Sequence, residues 1–360
     1  MELDPGPDFG QPSNRVQAPP PDAPAYRDRG TGLAVFGVAQ IILGLLAALM
    51  IPFIALGAFM SRLAPGGSIR PGQFISGVAT YAFIATVLIA LGIGSLQMKR
   101  WARPITLVLS WYWLVMGALF TILLTAMLPA TVRSALVQAQ RNSHAGSPPE
   151  ISTGVMAVVL TFIIVFVALF LIMVPVAFII FYGRQDVAET LRRRDPVERW
   201  TDRTPLPILG ASLIFALGAV YLLLVGFTAP LFPFFGRYLT GVAATLCFVV
   251  TAALDGYISL ALFRLHSTGW WIATLTLPIR LASMALTYGR ADLWQAYARM
   301  GVSHEQLRVL SSNPMLRGHV VLWWSLISIV LLFLYLLWLK RYFRTPLAPS
   351  AATVPAPIGQ

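Results

Sequence analysis

Long apolar runs without charged residues recur along this chain, and they restrict it to a membrane fold. The first is LAVFGVAQIILGLLAALMIPFIALGAF, residues 33–59. A helix of about 20 such residues crosses the hydrocarbon core of a bilayer. Only 11% of the residues are charged and 57% are hydrophobic, whereas about 25% of an average soluble chain is charged. The chain is therefore predicted to be an all-α integral membrane protein that crosses the bilayer several times.

About eight transmembrane helices are predicted from these runs. They lie at 33–59, 73–98, 105–128, 151–182, 205–230, 239–263, 270–289 and 319–339. The opening MELDPGPDFG is acidic and has no short apolar core of a cleavable signal, so the first helix is expected to be retained. Residues 1–32 and 340–360 are predicted to be disordered, proline-rich cytoplasmic tails. A charged cytoplasmic linker, 183–204, separates the first four-helix membrane unit, 33–182, from the second, 205–339.

The two halves share short sequence patterns. ATYAFIATVLIALGIGSL, from residue 79, and ATLCFVVTAALDGYISL, from residue 244, match at several positions, and FGVAQIILG in the first span resembles LGASLIFALG in the fifth. A candidate amphipathic helix also stands in the last outer loop of each half. Its apolar faces are Val132, Leu136 and Ala139 in one half, and Leu293, Tyr297 and Met300 in the other. An even number of spans per unit makes such repeats parallel, so a tandem duplication is predicted, with chance likeness between apolar helices as the alternative.

GTGLAVFGVAQIILGLL, residues 30–46, and ALGIGSLQMKRWARPITLVLS, residues 90–110, carry a further likeness. Together they resemble a widespread group of uncharacterised bacterial four-helix membrane proteins, which have a Gly-x-Gly turn before a basic-Trp-Ala-Arg stretch. The resemblance covers residues 30–125. It implies a bacterial inner-membrane protein and a four-helix unit, but no activity, and no functional residue is carried over from it.

Basic residues divide unevenly between the two sides of the predicted bundle. With both termini on one side, that side holds 16 of the 26 Lys and Arg residues, the opposite side holds 9, and Arg280 lies within a span. The positive-inside rule then predicts cytoplasmic N and C termini. The net charge of +12 is attributed to contact between the cytoplasmic basic loops and anionic lipid headgroups of the bilayer, and no nucleic-acid partner is predicted.

Two opposite charges stand inside predicted spans. Asp255 lies eight residues before the end of the sixth span and Arg280 ten residues after the start of the seventh, which puts both roughly 12–15 Å deep. An isolated charge at this depth costs at least ~2.5–3.5 kcal/mol, so the two side chains are predicted to pair. Polar residues at helical spacing extend this pair to a candidate intramembrane polar site of Thr251, Asp255, Ser259, Thr276, Arg280 and Ser283.

Sequence patterns of known membrane enzymes are absent from the chain. The string His304-Glu305-Gln306-Leu307-Arg308 lacks the second histidine of a zinc protease, and Asp255 has no second carboxylate for aspartyl proteolysis. No catalytic residue, cofactor or metal is predicted.

Two functional classes remain, and an enzyme ranks third. The first is a non-catalytic accessory, scaffold or sensor subunit that engages a membrane-protein partner. The second is a small-solute transporter or channel that uses the Asp255–Arg280 pair. Polar residues are sparse elsewhere in the spans, which favours the first class.

Overall fold

Helices make up almost all of the structure. The computed structural model describes residues 27–63, 71–143, 153–228, 230–300, 302, 307–308, 311 and 318–344. The helices are α1 (Gly30–Leu63), α2 (Pro71–Leu96), α3 (Ala102–Ser143), α4 (Thr153–Tyr182), α5 (Gln185–Arg194), α6 (Leu206–Thr228), α7 (Gly241–Phe263), α8 (Ser267–Arg290), α9 (Leu293–Arg299), α10 (Gly318–Leu339) and α11 (Arg341–Arg344). An antiparallel hairpin of β1 (Leu231–Phe234) and β2 (Arg237–Thr240) joins α6 to α7.

Seven helical segments are long and apolar enough to cross a membrane. They are Gly30–Met60, Phe74–Leu96, Ala102–Ala126, Thr161–Tyr182, Leu206–Thr228, Gly241–Phe263 and Val320–Phe343. The prediction of a multi-pass helical membrane protein is thereby confirmed, although seven segments of the described chain meet this criterion and eight were predicted. The difference is α8, which has 24 residues but carries Arg280 and several hydroxyl side chains that lower its hydropathy.

Helix α3 extends far beyond its apolar part. It has 42 residues and is therefore roughly 63 Å long, about twice the thickness of a hydrocarbon core. The amphipathic helix predicted around Val132 and Leu136 is the continuation of α3 and not a separate element. In the second half, α9 contains Leu293 and Tyr297, and Met300 caps its C-terminus.

The predicted tails and linker are more ordered near the bundle than the sequence indicated. Residues 28–32 were assigned to the N-terminal tail, yet α1 begins at Gly30, whose N–H donates to the Asp28 carboxylate over 3.0 Å. At the other end of the chain, residues 341–344 form α11. Residues 1–26 and 345–360, which complete the predicted tails, lie outside the described residues.

Part of the predicted linker 183–204 is a packed helix, α5. Val187 and Leu191 are buried against Leu33 and Tyr182, because the apolar residues of α5 recur at helical spacing on one face. Two ion pairs then hold α5 to the start of α1, Arg29 to Asp186 and Arg194 to Asp28, each at 3.2 Å. The linker therefore packs against the start of α1 and the end of α4.

Hydrogen bonds place the turn before α3, the segment between α5 and α6, the turn between α7 and α8, and the end of α10 at this same end of the bundle. The Arg100 N–H donates to Asp195 of the linker, the Thr204 hydroxyl to the Phe263 carbonyl, and the Trp270 indole to the Leu336 carbonyl. We call this the basic end; it carries Arg29, Lys99, Arg100, Arg264 and Lys340. The hairpin and the C-terminus of α8 lie at the other end, called the hairpin end.

The turns that join α2 to α3 and α7 to α8 have the same backbone geometry. Each contains a non-glycine residue in the left-handed region, Met98 with φ 53° and Leu265 with φ 60°. In each turn the next residue donates its N–H over 2.8 Å to the carbonyl five residues earlier, which is the bonding of a Schellman motif. The helix pairs are also analogous, since α1 packs on α2 and α3 on α4, while α6 packs on α7 and α8 on α10.

A close approach between α1 and α2 depends on two glycines. A Cβ atom added at Gly92 would lie 2.6 Å from the carbonyl oxygen of Gly37, and one added at Gly37 would lie 2.9 Å from that of Gly92. Backbone atoms leave little freedom to relieve such a contact. Small residues of this kind allow the close helix packing that stabilises membrane proteins.

Gly92→Ala should therefore destabilise the protein by about 1–3 kcal/mol, the usual effect of overpacking. Gly57→Ala is the matched control, because a Cβ at Gly57 of α1 meets no atom within 4 Å and alanine favours a helix by about 0.5–1 kcal/mol over glycine. Thermal melting in detergent should show a lower midpoint for Gly92→Ala alone. Equal midpoints for the two variants would refute the close packing of α1 on α2.

Candidate intramembrane polar site

Asp255 of α7 and Arg280 of α8 form a bidentate ion pair. The Arg280 Nη1 donates to Asp255 Oδ2 over 3.0 Å, and Nη2 donates to Oδ1. The Asp255 side chain is only 5% exposed, whereas that of Arg280 is 24% exposed. Paired bonds between two charged groups are among the strongest hydrogen bonds in proteins. The predicted contact is present.

Three helices create the space for this pair. The short turn at 264–266 makes α7 and α8 antiparallel neighbours, so that residues at similar depth face each other. From α6, Gly218 faces the carboxylate, and a Cβ atom added there would lie 3.8 Å from Asp255 Oδ2. The ion pair is therefore enclosed by α6 and α7 on the carboxylate side and more open on the guanidinium side.

A pair of serines holds α6 to α7 one turn from Asp255. The Ser212 hydroxyl donates to the Ser259 carbonyl over 2.9 Å, and the Ser259 hydroxyl donates to the Ser212 carbonyl over 2.8 Å. Both residues are buried. Ser259 was predicted to belong to the polar site, but its partner is Ser212 and not the ion pair.

The hairpin packs against the polar face of α8. The Ser283 hydroxyl donates to the Pro233 carbonyl over 3.0 Å and accepts the Phe235 N–H over 3.1 Å, and Thr287 accepts the Gly236 N–H over 3.0 Å. Ser283 lies within one helical turn of Arg280. Backbone N–H and C=O groups that are shielded from water need hydrogen-bond partners, and these two hydroxyls supply them.

The hairpin was not predicted from the sequence. Its two-residue turn is Phe235-Gly236, with φ 39° and 95°, the positive angles of a type I′ turn. Such turns usually contain Asn-Gly or Asp-Gly, so Phe-Gly between apolar residues is a weak signal. The short predicted loop at 231–238 was the visible part of this element.

The two remaining residues of the candidate site bond within their own helices. The Thr251 hydroxyl donates to the Cys247 carbonyl over 2.7 Å, and that of Thr276 donates to the Ile272 carbonyl over 2.8 Å. Of the six candidates, the structure thus joins Asp255 to Arg280, and it uses the other four to hold neighbouring elements or to bond their own helix.

A second buried polar chain connects the first four spans and was missed from the sequence. The Tyr182 hydroxyl of α4 donates to Ser95 of α2 over 2.7 Å, Ser95 donates to Gln40 of α1 over 3.3 Å, and the Gln40 amide donates to Thr106 of α3 over 3.1 Å. All four residues are buried. The available signal was Gln40, a lone amide inside an apolar run.

Charged residues of the linker pair with each other and with Arg100 of the α2–α3 turn at the basic end. Burial would raise the pKa of Asp195, but hydrogen bonds from the Arg199 side chain and the Arg100 N–H, together with the charges of Arg199 and Lys99, hold that pKa below its ordinary value. Arg100 also pairs with Asp202 at 3.3 Å. The carboxylates of the linker thus neutralise arginines of the linker and of the neighbouring α2–α3 turn.

No protein-family model, curated protein or solved structure matches this chain. Within the described ranges, no three His, Cys, Asp or Glu side chains lie close enough together to hold a metal ion. Function is therefore inferred from the arrangement of the residues described above.

Proposed function

We propose that this chain is a non-catalytic accessory, scaffold or sensor subunit of a membrane, in which Asp255–Arg280 is a structural ion pair. One observation carries the proposal: the polar side chains of the candidate site bond to each other or to their own fold. A substrate path needs polar groups that are free to exchange partners. Here the pair fixes α7 against α8, while Ser259 and Ser283 fix α6 and the hairpin on either side of it.

In this proposal α8 also crosses the bilayer and is the seventh of eight spans in chain order. It runs antiparallel to α7 from the basic end at Trp270 to the hairpin end at Thr287, and its 24 residues make it about 36 Å long. Its charge and hydroxyls have partners, which lowers the cost of placing them in the bilayer. The two matching turns, around Met98 and Leu265, and the analogous helix pairs support a tandem duplication of parallel four-helix units. The resemblance to bacterial four-helix proteins stays a prediction.

The proposed orientation has the basic end, and with it both termini, in the cytoplasm of a bacterial inner membrane. The support is the excess of Lys and Arg at this end. Anionic headgroups would then face the basic loops, and a membrane-protein partner would contact the apolar helix faces.

Cysteine labelling tests this orientation. Ser267 at the basic end and Gln295 at the hairpin end are both exposed, and Cys247 is the one native cysteine. In a Cys247→Ala background, Gln295→Cys should react with an impermeant thiol reagent in intact cells. Ser267→Cys should react only after the cells are permeabilised. The opposite labelling pattern would invert the proposed orientation.

A small-solute transporter or channel is the second candidate, and the exposure of Arg280 favours it. The Arg280 side chain is 24% exposed. Within the described ranges, it donates two hydrogen bonds, both to Asp255. A guanidinium has five N–H donors, so three remain for a solute.

Replacing the pair by apolar residues separates the two candidates. Replacement of a buried ion pair by apolar side chains of similar size is often neutral or stabilising by about 1–4 kcal/mol. Asp255→Leu with Arg280→Met should therefore keep the melting temperature and the size of the native complex on a blue-native gel. Thr251→Ala, which removes only a bond within α7, is the control.

Two results would contradict the accessory role. The first is a wild-type protein that runs as a single chain in mild detergent. The second is a double variant that folds stably yet loses a solute flux that the wild type shows in proteoliposomes.

A further inference from the structure

A cluster of cations and aromatic rings lies where α10 ends beside the start of α8. The Lys340 Nζ stands 5.2 Å from the centre of the Trp270 ring and 5.5 Å from that of Trp271. The Arg341 guanidinium carbon lies 3.8 Å from the centre of the Trp338 ring. We call these five residues the cation–aromatic cluster.

The cluster is fixed by the fold and open to its surroundings. Trp270 is buried, and its indole N–H donates to the Leu336 carbonyl over 2.6 Å, which ties α8 to α10. In contrast, Trp271 is 62% exposed and Trp338 45% exposed. The two cations are therefore held at defined positions on the surface of the bundle.

Both cations retain donors for an anion. An ammonium has three N–H donors and a guanidinium has five. An aromatic ring attracts the positive charge to its face, but it does not replace a hydrogen-bond acceptor for each N–H donor. Among the described residues, Arg341 donates to the Tyr342 hydroxyl over 3.1 Å. Within the described part of the chain, the carboxylates in ion pairs are bound by other arginines.

The cluster lies near the end of the last apolar segment, which indicates that the anion is part of a lipid headgroup. The last apolar segment ends at Phe343, so the cluster lies at the level where hydrocarbon gives way to headgroups. Tryptophan is enriched at this level because its ring is apolar and its N–H is polar. Anionic lipids concentrate at the cytoplasmic surface and attract basic residues there.

We propose that the cation–aromatic cluster binds the phosphodiester of an anionic phospholipid headgroup. Lys340 and Arg341 contact the phosphate oxygens, while Trp271 and Trp338 lie beside the glycerol and upper acyl chains. Such a lipid would hold the end of α10 against the start of α8. The site rests on the proposed cytoplasmic placement of the basic end, and it is independent of the role proposed for the Asp255–Arg280 pair.

Lipid titration of the full chain in dodecyl maltoside micelles tests the site. Dioleoylphosphatidylglycerol should raise the melting temperature more than dioleoylphosphatidylcholine does, and added salt should reduce the difference. Lys340→Gln with Arg341→Gln should weaken the apparent affinity for phosphatidylglycerol, by about fivefold for each cation removed. Arg237→Gln with Arg290→Gln, which removes two exposed cations at the hairpin end, is the charge-matched control and should leave that affinity unchanged.

Three outcomes would overturn the proposal. They are a wild type without preference for phosphatidylglycerol, an equal preference in the Lys340/Arg341 variant, and the same stabilisation by inorganic phosphate, which would indicate a site for free anions. Arg341→Gln alone serves if the double variant does not fold, because Arg341 is exposed. If the lipid preference is absent, the Asp255→Leu/Arg280→Met variant is still expected to keep the melting temperature of the wild type. The two proposals can therefore fail separately.

Discussion

A bilayer offers no water to the polar groups inside it, and the ion pair with Arg280 provides hydrogen bonds for the Asp255 carboxylate, which lies in one of the seven segments that can cross a membrane. Either charge alone would be costly at that depth. Together they form two charge-assisted hydrogen bonds that require α7 and α8 to stay in one register. Gly218 of α6 has no side chain and leaves room for the Asp255 carboxylate. The contact therefore sets the register of α7 against α8, and Gly218 of α6 lies beside it.

Other polar groups follow the same constraint. The reciprocal bonds of Ser212 and Ser259 join α6 to α7, and Ser283 gives the hairpin backbone both a donor and an acceptor. In the first half, the chain of bonds that passes through Gln40 reaches all four spans. Since hydrophobic burial does not drive helices together within lipid, close packing and such bonds provide much of the specificity. Polar residues here serve mainly to set helix positions.

The sequence was sufficient to predict features that depend on local composition. Seven of the predicted spans were found among the apolar segments because hydropathy alone defines them, and the Asp255–Arg280 contact followed from depth and a short turn. Features that depend on tertiary contacts were not predictable in this way. The partner of Ser259 lies 47 residues away in α6, and the hairpin is held by side chains of α8. The sequence of α5 is dominated by arginines, and the burial of its face with Val187 and Leu191 depends on contacts with α1 and α4.

The central claim, that Asp255 and Arg280 stabilise the fold as a pair, is tested most directly by a double-mutant cycle. The free energy of unfolding is measured for the wild type, Asp255→Asn, Arg280→Gln and the double variant in the same detergent. Breaking a buried pair by removing one partner typically costs about 3–5 kcal/mol, because the other charge remains unpaired. We predict that the double variant loses much less stability than the sum of the two single losses. Additive losses would show that the two side chains do not interact and would contradict the account.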